Sequence, residues 1–149
     1  CEIISNSIKK INMVNIFPSL VFCLYPTSVF IKKIHLQNAI KVLNKKKSSF
    51  IFSASKYSHP IQRSFFLKKD KLIVNFTKYK KTQTQKLNVN YFDAGQFYLA
   101  KPEKWIKFDS VFQKNSMIVE IPRNECQDID EIKDWKLAEL IFKTCKIKS

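Results

Sequence analysis

Residues 19–53 read SLVFCLYPTSVFIKKIHLQNAIKVLNKKKSSFIFS, and the change of hydrophobic period along this stretch decides the fold class. Leu20 to Tyr25 is a short continuous apolar run with Pro18 before it and Pro26 after it. A run of that length, closed by residues that interrupt backbone pairing, predicts a central strand buried on both faces. From Ile34 to Asn44 the period lengthens. Ala39, Ile40 and Leu43 fall on one side of a helix, and Lys45 to Lys47 bring cations to its C-terminus. Ser49 to Ser53 returns to strand character. A strand, a helix and a strand in so short a span form the repeating unit of an α/β sheet.

Upstream, Ile3, Ile4, Ile8, Ile11 and Val14 recur at helical spacing within Cys1 to Asn15, enough for one stripe laid on a sheet. The first residue is Cys1, not Met, and the helix is already under way there, so the chain reads as a piece of a longer protein. Downstream, Ser64 to Leu67 and Lys71 to Phe76 are short strand-like runs around Lys68-Lys-Asp-Lys71, the pattern of an antiparallel hairpin excursion. Thr77 to Asn90 is polar and predicts a surface loop. Ala94 to Ala100 and Ser116 to Ile121 predict strands, with Met117, Val119 and Ile121 alternating onto one face. A last helix is expected from Glu131 to Lys146, packing through Ile132, Trp135, Ala138, Ile141, Phe142 and Cys145. The expected whole is one domain over residues 1–149, a mixed α/β sheet covered on both faces. Ligands of such sheets bind beyond the carboxyl ends of the strands, here the loops after Tyr25, Ser53 and Ile121.

Charge narrows the function classes less than it first suggests. The net charge is +15, yet only Arg63 and Arg123 of 27 basic residues are arginine, and glycine occurs once. Abundant Lys, Ile, Asn and Phe match a bias towards AT-rich codons, so most of the lysine reads as solvated surface. No aromatic base-stacking motif accompanies it, which makes a nucleic-acid partner the weaker reading. Cys1, Cys23, Cys126 and Cys145 form no CxxC pair, and scattered thiols without a signal peptide fit a reducing cytoplasm. The most apolar run, Ile16 to Ile31, is broken by two prolines and falls short of the roughly 20 residues that a bilayer needs, so no membrane span is expected.

Negative charge is concentrated instead. Glu120, Glu125, Asp128, Asp130, Glu131, Asp134 and Glu139 make up seven of the twelve acids, all beside one loop-to-helix junction. Asp128 and Asp130, spaced i, i+2, point to the same side of an extended segment and suit Mg2+, which takes one or two protein carboxylates and fills its shell with water and phosphates. Helix capping, with Asp130 at the N-cap, is the competing reading, and the two can coexist. Arg63 and Arg123 are candidates for a bidentate grip on carboxylate or phosphate, which lysine cannot reproduce, or else for surface ion pairs. Thr27 and Ser28 offer two hydroxyls at a strand end, either for a sugar or for local turn bonds. Gly95 predicts a bulge or a close backbone approach.

Taken in order, YPTSVF at Tyr25, HPIQRSF at His59, DAGQFY at Asp93 and IPRNECQDIDEIKDWKLAE at Ile121 resemble the pseudaminic acid cytidylyltransferases, within the wider group that activates nonulosonic acids. The resemblance implies a Rossmann-like mixed sheet of the nucleotide-diphospho-sugar transferase type. It implies transfer of CMP from CTP to the anomeric hydroxyl of a nonulosonic acid, release of pyrophosphate, Mg2+ on Asp128 and Asp130, and a homodimer. It makes Thr27, Ser28, Gln62, Arg63 and Gln96 sugar-site candidates. The family's glycine- and basic-residue-rich triphosphate loop does not occur in these residues, so the chain is expected to be a C-terminal part with little activity alone. Gln83 stands where relatives tend to carry arginine, and Leu99-Ala100 replaces a frequent Trp-Gly. Sialic, legionaminic and ketodeoxyoctonate enzymes therefore remain alternatives. Outside the class, so do a basic nucleic-acid module and a non-catalytic remnant.

Overall fold

The structure is a computed structural model that describes residues 2–45 and 48–146, the side chains of Cys145 and Lys146 excepted. Its elements are α1 (Glu2–Met13), β1 (Val21–Leu24), α2 (Lys33–Lys45), β2 (Ile51–Lys56), β3 (Phe65–Lys68), β4 (Lys71–Val74), β5 (Tyr91–Ala100), α3 (Pro102–Ile106), β6 (Met117–Glu120) and α4 (Ile132–Lys146). Four strands form one sheet in the order β1-β5-β2-β6. Strand β5 runs antiparallel to both neighbours, whereas β2 and β6 are parallel. Consequently β1, β2 and β6 all point the same way, and the sheet is mixed.

The alternation of side chains along the strands divides the core in two. On one face Phe50, Phe52, Ala54, Tyr98 and Ala100 pack with Ile8 of α1 and Trp105 of α3. On the other, Ile51, Phe97, Leu99, Val119 and Ile121 pack with Ala39 and Leu43 of α2. Phe50 meets Trp105 edge-on with centroids 5.1 Å apart, and the indole Nε1 donates to the Val21 carbonyl at 3.2 Å. That bond satisfies the one polar atom an indole brings into a core. The expected covering of both faces is therefore present, as is the shared face of Met117, Val119 and Ile121.

Two expectations are corrected, and one further helix is present. Among the described residues β1, expected as a central strand, lies at the end of the four-stranded sheet and pairs with β5. A continuous apolar run reports cover on both faces, which β1 has through Val21 and Cys23 on one side and Phe22 on the other, but says nothing about hydrogen-bonded neighbours. The packing stripe of α4 is mostly outward, since Ile132, Trp135 and Phe142 are exposed and Ala138 is buried. Periodicity predicts the stripe but not whether anything covers it. Helix α3 was not expected, although Pro102 at its start and Glu103 in its first turn are ordinary helix-start residues. The lysines Lys46 and Lys47, expected to close α2, and the side chain of Cys145 lie outside the described residues.

The excursion is a separate two-stranded sheet, β3 with β4. Lys69 and Asp70 sit between paired Lys68 and Lys71 with φ of 47° and 62°. Two central residues with positive φ make the tight hairpin turn whose twist matches its strands. Every residue of β3 is exposed, the apolar Phe65, Phe66 and Leu67 included. Among the described residues no helix is long and apolar enough to cross a membrane.

Candidate functional site

Because β1, β2 and β6 run in one direction, their carboxyl ends and the start of β5 share one edge of the sheet. Four segments meet there: Tyr25–Ser28, Tyr57–Arg63, Tyr91–Gln96 and Ile121–Asp130. The junction is built on a break in β5. Phe52 pairs with Tyr98, but Ala54, two residues on, pairs with Asp93, so β5 bulges by several residues around Gly95. Gly95 has φ 63°, and a Cβ there would meet nothing within 4 Å. The bulge is thus as expected, while close backbone approach is not what glycine serves here. Gly95→Ala should cost about 1–2 kcal/mol from the left-handed backbone alone, readable as a lower denaturation midpoint with no loss of packing.

Buried side chains replace the ladder bonds that the bulge removes. Ser53 Oγ accepts from Gln96 N at 3.0 Å and from Phe97 N at 3.2 Å. The Asp93 carboxylate accepts from Gly95 N at 2.9 Å and from the Tyr98 hydroxyl at 2.8 Å. Burial first and the Asp93 bond second raise Tyr98 far above the ordinary tyrosine range, so it stays a fixed donor. Ser28 Oγ donates to the Gln96 carbonyl at 2.7 Å, and Gln96 Nε2 donates to the Glu125 carbonyl. Gln96 is 2% exposed, and its Oε1 has no hydrogen-bond partner. A buried acceptor left open is costly in a resting protein and available to a ligand donor.

The other predicted residues divide between this junction and its surroundings. Thr27 flanks it, half-buried, with its carbonyl accepting from Val29 N at 2.8 Å. Gln62 and Arg63 form a short 3-10 turn after β2. Gln62 is buried, donates to the Asn88 carbonyl at 3.0 Å and also keeps an unpartnered Oε1. Arg63 is exposed and donates through Nη2 to the Thr82 carbonyl at 2.7 Å, gripping the loop before β5.

Asp128 and Asp130 are exposed on the segment leading to α4. Asp130 does not cap that helix as expected. Asp134 does, accepting from Glu131 N at 2.9 Å and Asp130 N at 3.2 Å, because a carboxylate in the first turn can reach back to these amides. Among the described residues no three His, Cys, Asp or Glu side chains cluster closely enough to hold a metal by themselves. Cys126 lies between the two acidic segments, and burial, then Asp128 and Asp93, push its thiol up, so it is a protonated thiol beside the junction.

Three residues of the junction belong to no motif that marks them in the sequence. Ser53 is a serine inside the apolar run SSFIFSAS, a position whose polarity was the available signal. Glu125 is one of the seven clustered acids and has no other distinguishing signal in the sequence. His35 occupies the third helical position after Lys32, and its Nδ1 accepts the Lys32 amide at 3.3 Å, the reach-back half of a capping box. Its Nε2 lies 3.1 Å from Glu125 Oε2, and Lys32 Nζ lies 2.8 Å from Glu125 Oε1. Burial, the larger effect, holds His35 below its ordinary value of 6.5 against the opposing pull of Glu125.

The chain is 32% identical over 142 residues to a Campylobacter jejuni serotype O:2 protein named pseudaminic acid cytidylyltransferase, covering 95% of this chain and 61% of that protein. It is a relative of the pseudaminic acid cytidylyltransferases. The serotype O:23/36 protein of the same name is 32% identical over 94% of this chain and 61% of its own length. A Helicobacter pylori protein named as both pseudaminic acid cytidylyltransferase and UDP-2,4-diacetamido-2,4,6-trideoxy-beta-L-altropyranose hydrolase is 31% identical over 78% of this chain and 23% of its own. The chain thus spans about three fifths of the two Campylobacter cytidylyltransferases. No family model matches it.

Proposed function

We propose that the full-length protein joins CMP from CTP to a nine-carbon acidic sugar, pseudaminic acid in first place, on a sheet of the nucleotide-diphospho-sugar transferase type. One observation carries the reading beyond the names of the relatives. Three motifs far apart in sequence, YPTSVF, DAGQFY and IPRNEC, meet at a single side chain and backbone unit, Gln96, through Ser28 and Glu125. In the proposed reaction the sugar's anomeric hydroxyl gives up its proton to water as its oxygen forms a bond to the α-phosphorus of CTP. The bond from that phosphorus to the β-phosphate bridge breaks, and pyrophosphate leaves with its electron pair. Such transfer needs positioning and charge neutralisation more than covalent help from the protein.

Ser28, Thr27, Gln62, Gln96 and Arg63 form the proposed sugar wall. The unpartnered Oε1 atoms of Gln62 and Gln96 are acceptors suited to hydroxyl or amide N–H donors, and Arg63 suits the sugar carboxylate. Asp128 and Asp130 fit Mg2+ that arrives with a triphosphate, because two exposed carboxylates supply the share of ligands this ion usually takes from protein. The ion would supply charge neutralisation at the α-phosphate.

The test is pyrophosphate release by the full-length protein with CTP and each of pseudaminic, sialic, legionaminic and ketodeoxyoctonic acids. Pseudaminic acid should give the highest kcat/KM. Release with none of them would overturn the proposal, and preference for another sugar would move it within the class.

The hairpin carries a second expectation. A two-stranded hairpin is marginal in water by itself, and this one presents Phe65, Phe66, Leu67, Leu72 and Ile73 to solvent. We propose that a second copy covers it. Sedimentation should give a dimer mass for the full-length protein and a monomer for Phe66→Asp with Leu67→Asp. A monomeric parent protein would refute the assignment.

A further inference from the structure

His35 and Glu125 lie outside the proposed sugar wall, yet both are enclosed where α2 meets the segment after β6. His35 is 6% exposed, and the Glu125 side chain is 14% exposed. The Lys32 amide donates to His35 Nδ1, which leaves the ring proton of the neutral imidazole on Nε2; that nitrogen lies 3.1 Å from Glu125 Oε2, close enough for electrostatic contact although the oxygen accepts no hydrogen bond. Lys32 Nζ takes the other carboxylate oxygen at 2.8 Å. Glu125 closes the 3-10 turn Arg123–Glu125, its amide donating to the Pro122 carbonyl at 2.8 Å. The carbonyl of this same residue receives Gln96 Nε2.

A primary amide whose nitrogen is tied down has its oxygen orientation decided. The carbonyl of Glu125 can hold Gln96 only while the turn stays where its side chain is anchored, and that anchor is a helix start on the far side of the segment. From this chain of contacts we infer that His35 and Glu125 are positioning residues: they fix the Gln96 carboxamide so that Oε1, the buried unpartnered oxygen, faces a ligand donor. The inference rests on the proposed function only for what that donor is. The groups facing His35 are Lys32 from its own helix start and Glu125 from the opposite segment.

Two readouts separate this inference from the function itself. In the full-length protein, labelled on its side-chain amides, one Gln96 Nε2 proton should show a hydrogen-bonded shift and slow exchange in NMR spectra. Glu125→Ala and His35→Phe should both remove that signature, while Glu125→Gln, which keeps one acceptor oxygen for Lys32 but turns an N–H towards the other donor, His35 Nε2, should restore part of it. In the assay, Glu125→Ala and His35→Phe should raise the sugar KM roughly tenfold, the equivalent of about 1.4 kcal/mol, and leave the CTP KM within about twofold. Thermal melts identify any variant that simply unfolds, and Glu125→Gln is then the deciding comparison. An unchanged Gln96 resonance in folded Glu125→Ala and His35→Phe overturns the positioning role whatever the enzyme does. A parent protein inactive on every sugar overturns the proposed function and leaves the Gln96 readout to judge the inference alone. Equal rises in both KM values would mean general loosening and would also overturn it.

Discussion

Asp128→Asn and Asp130→Asn, each in the full-length enzyme, should lower kcat by at least about 100-fold at ordinary Mg2+ while leaving the melting temperature nearly unchanged. The separation between activity and stability is expected because the two carboxylates make few structural bonds. Asp128 Oδ1 accepts only the adjacent Ile129 amide at 3.1 Å, in the open, and the cap of α4 belongs to Asp134. Asparagine keeps the shape and an acceptor oxygen at both positions but removes the charge that would hold a divalent cation. Asp134→Ala supplies the opposite pattern. Losing its two reach-back bonds and its charge near the helix start should cost about 1 kcal/mol, with the Mg2+ dependence of kcat unaltered. The measurement is kcat against Mg2+ concentration for the three variants, beside melts of each. Near-normal turnover in both asparagine variants would make Asp128 and Asp130 plain surface acids.

The sheet and its two covering layers were legible because period and apolar runs report burial, and burial is what the strands from Leu20, Ser49, Ala94 and Ser116 have in common. The strand limits were less so. β2 runs on to Lys56 through Ser53 and Ser55, two serines that are buried yet break the apolar run from which a strand end is read. Partners were harder still. That β1 has β5 alone beside it among the described residues and that α4 turns its aromatic stripe outward both depend on what another segment does. A period within one segment carries no such information.

Within the candidate site, where Ser28 is hydrogen-bonded to Gln96 and Gln62 and Arg63 sit on a turn after β2, the motif resemblance names all four as sugar-site candidates. It did not supply the residues that hold Gln96 in place. Those act through backbone groups: Ser53 on two amides, Glu125 by its carbonyl, His35 through Glu125. A side chain that serves the backbone leaves no spacing rule in the sequence, because its partner can be any residue type. The acidic cluster is a partial exception, since its contrast with a chain of net charge +15 marked the segment although not the atoms.

Ser53→Ala should be among the most destabilising single-atom deletions in this chain, by about 3 kcal/mol. The hydroxyl is wholly buried and serves two amides at once, Gln96 N at 3.0 Å and Phe97 N at 3.2 Å, where the bulge leaves β5 without its regular ladder to β2. Alanine leaves both donors unpaired in a site closed to bulk water, and each buried orphan costs about 1–3 kcal/mol. Ser110→Ala is the control. Ser110 Oγ accepts a single amide, that of Phe112, at 3.0 Å in an exposed turn, where water can take its place, so its loss should cost under about 1 kcal/mol. Urea titrations should therefore show a much lower midpoint for Ser53→Ala than for Ser110→Ala, with similar slopes. Because Gln96 N is one of the two amides released, the folded fraction of Ser53→Ala in the full-length enzyme should also bind sugar more weakly. Equal midpoints for the two variants would mean that the bulge is held by something other than Ser53, and the weaker sugar binding would then lose its cause.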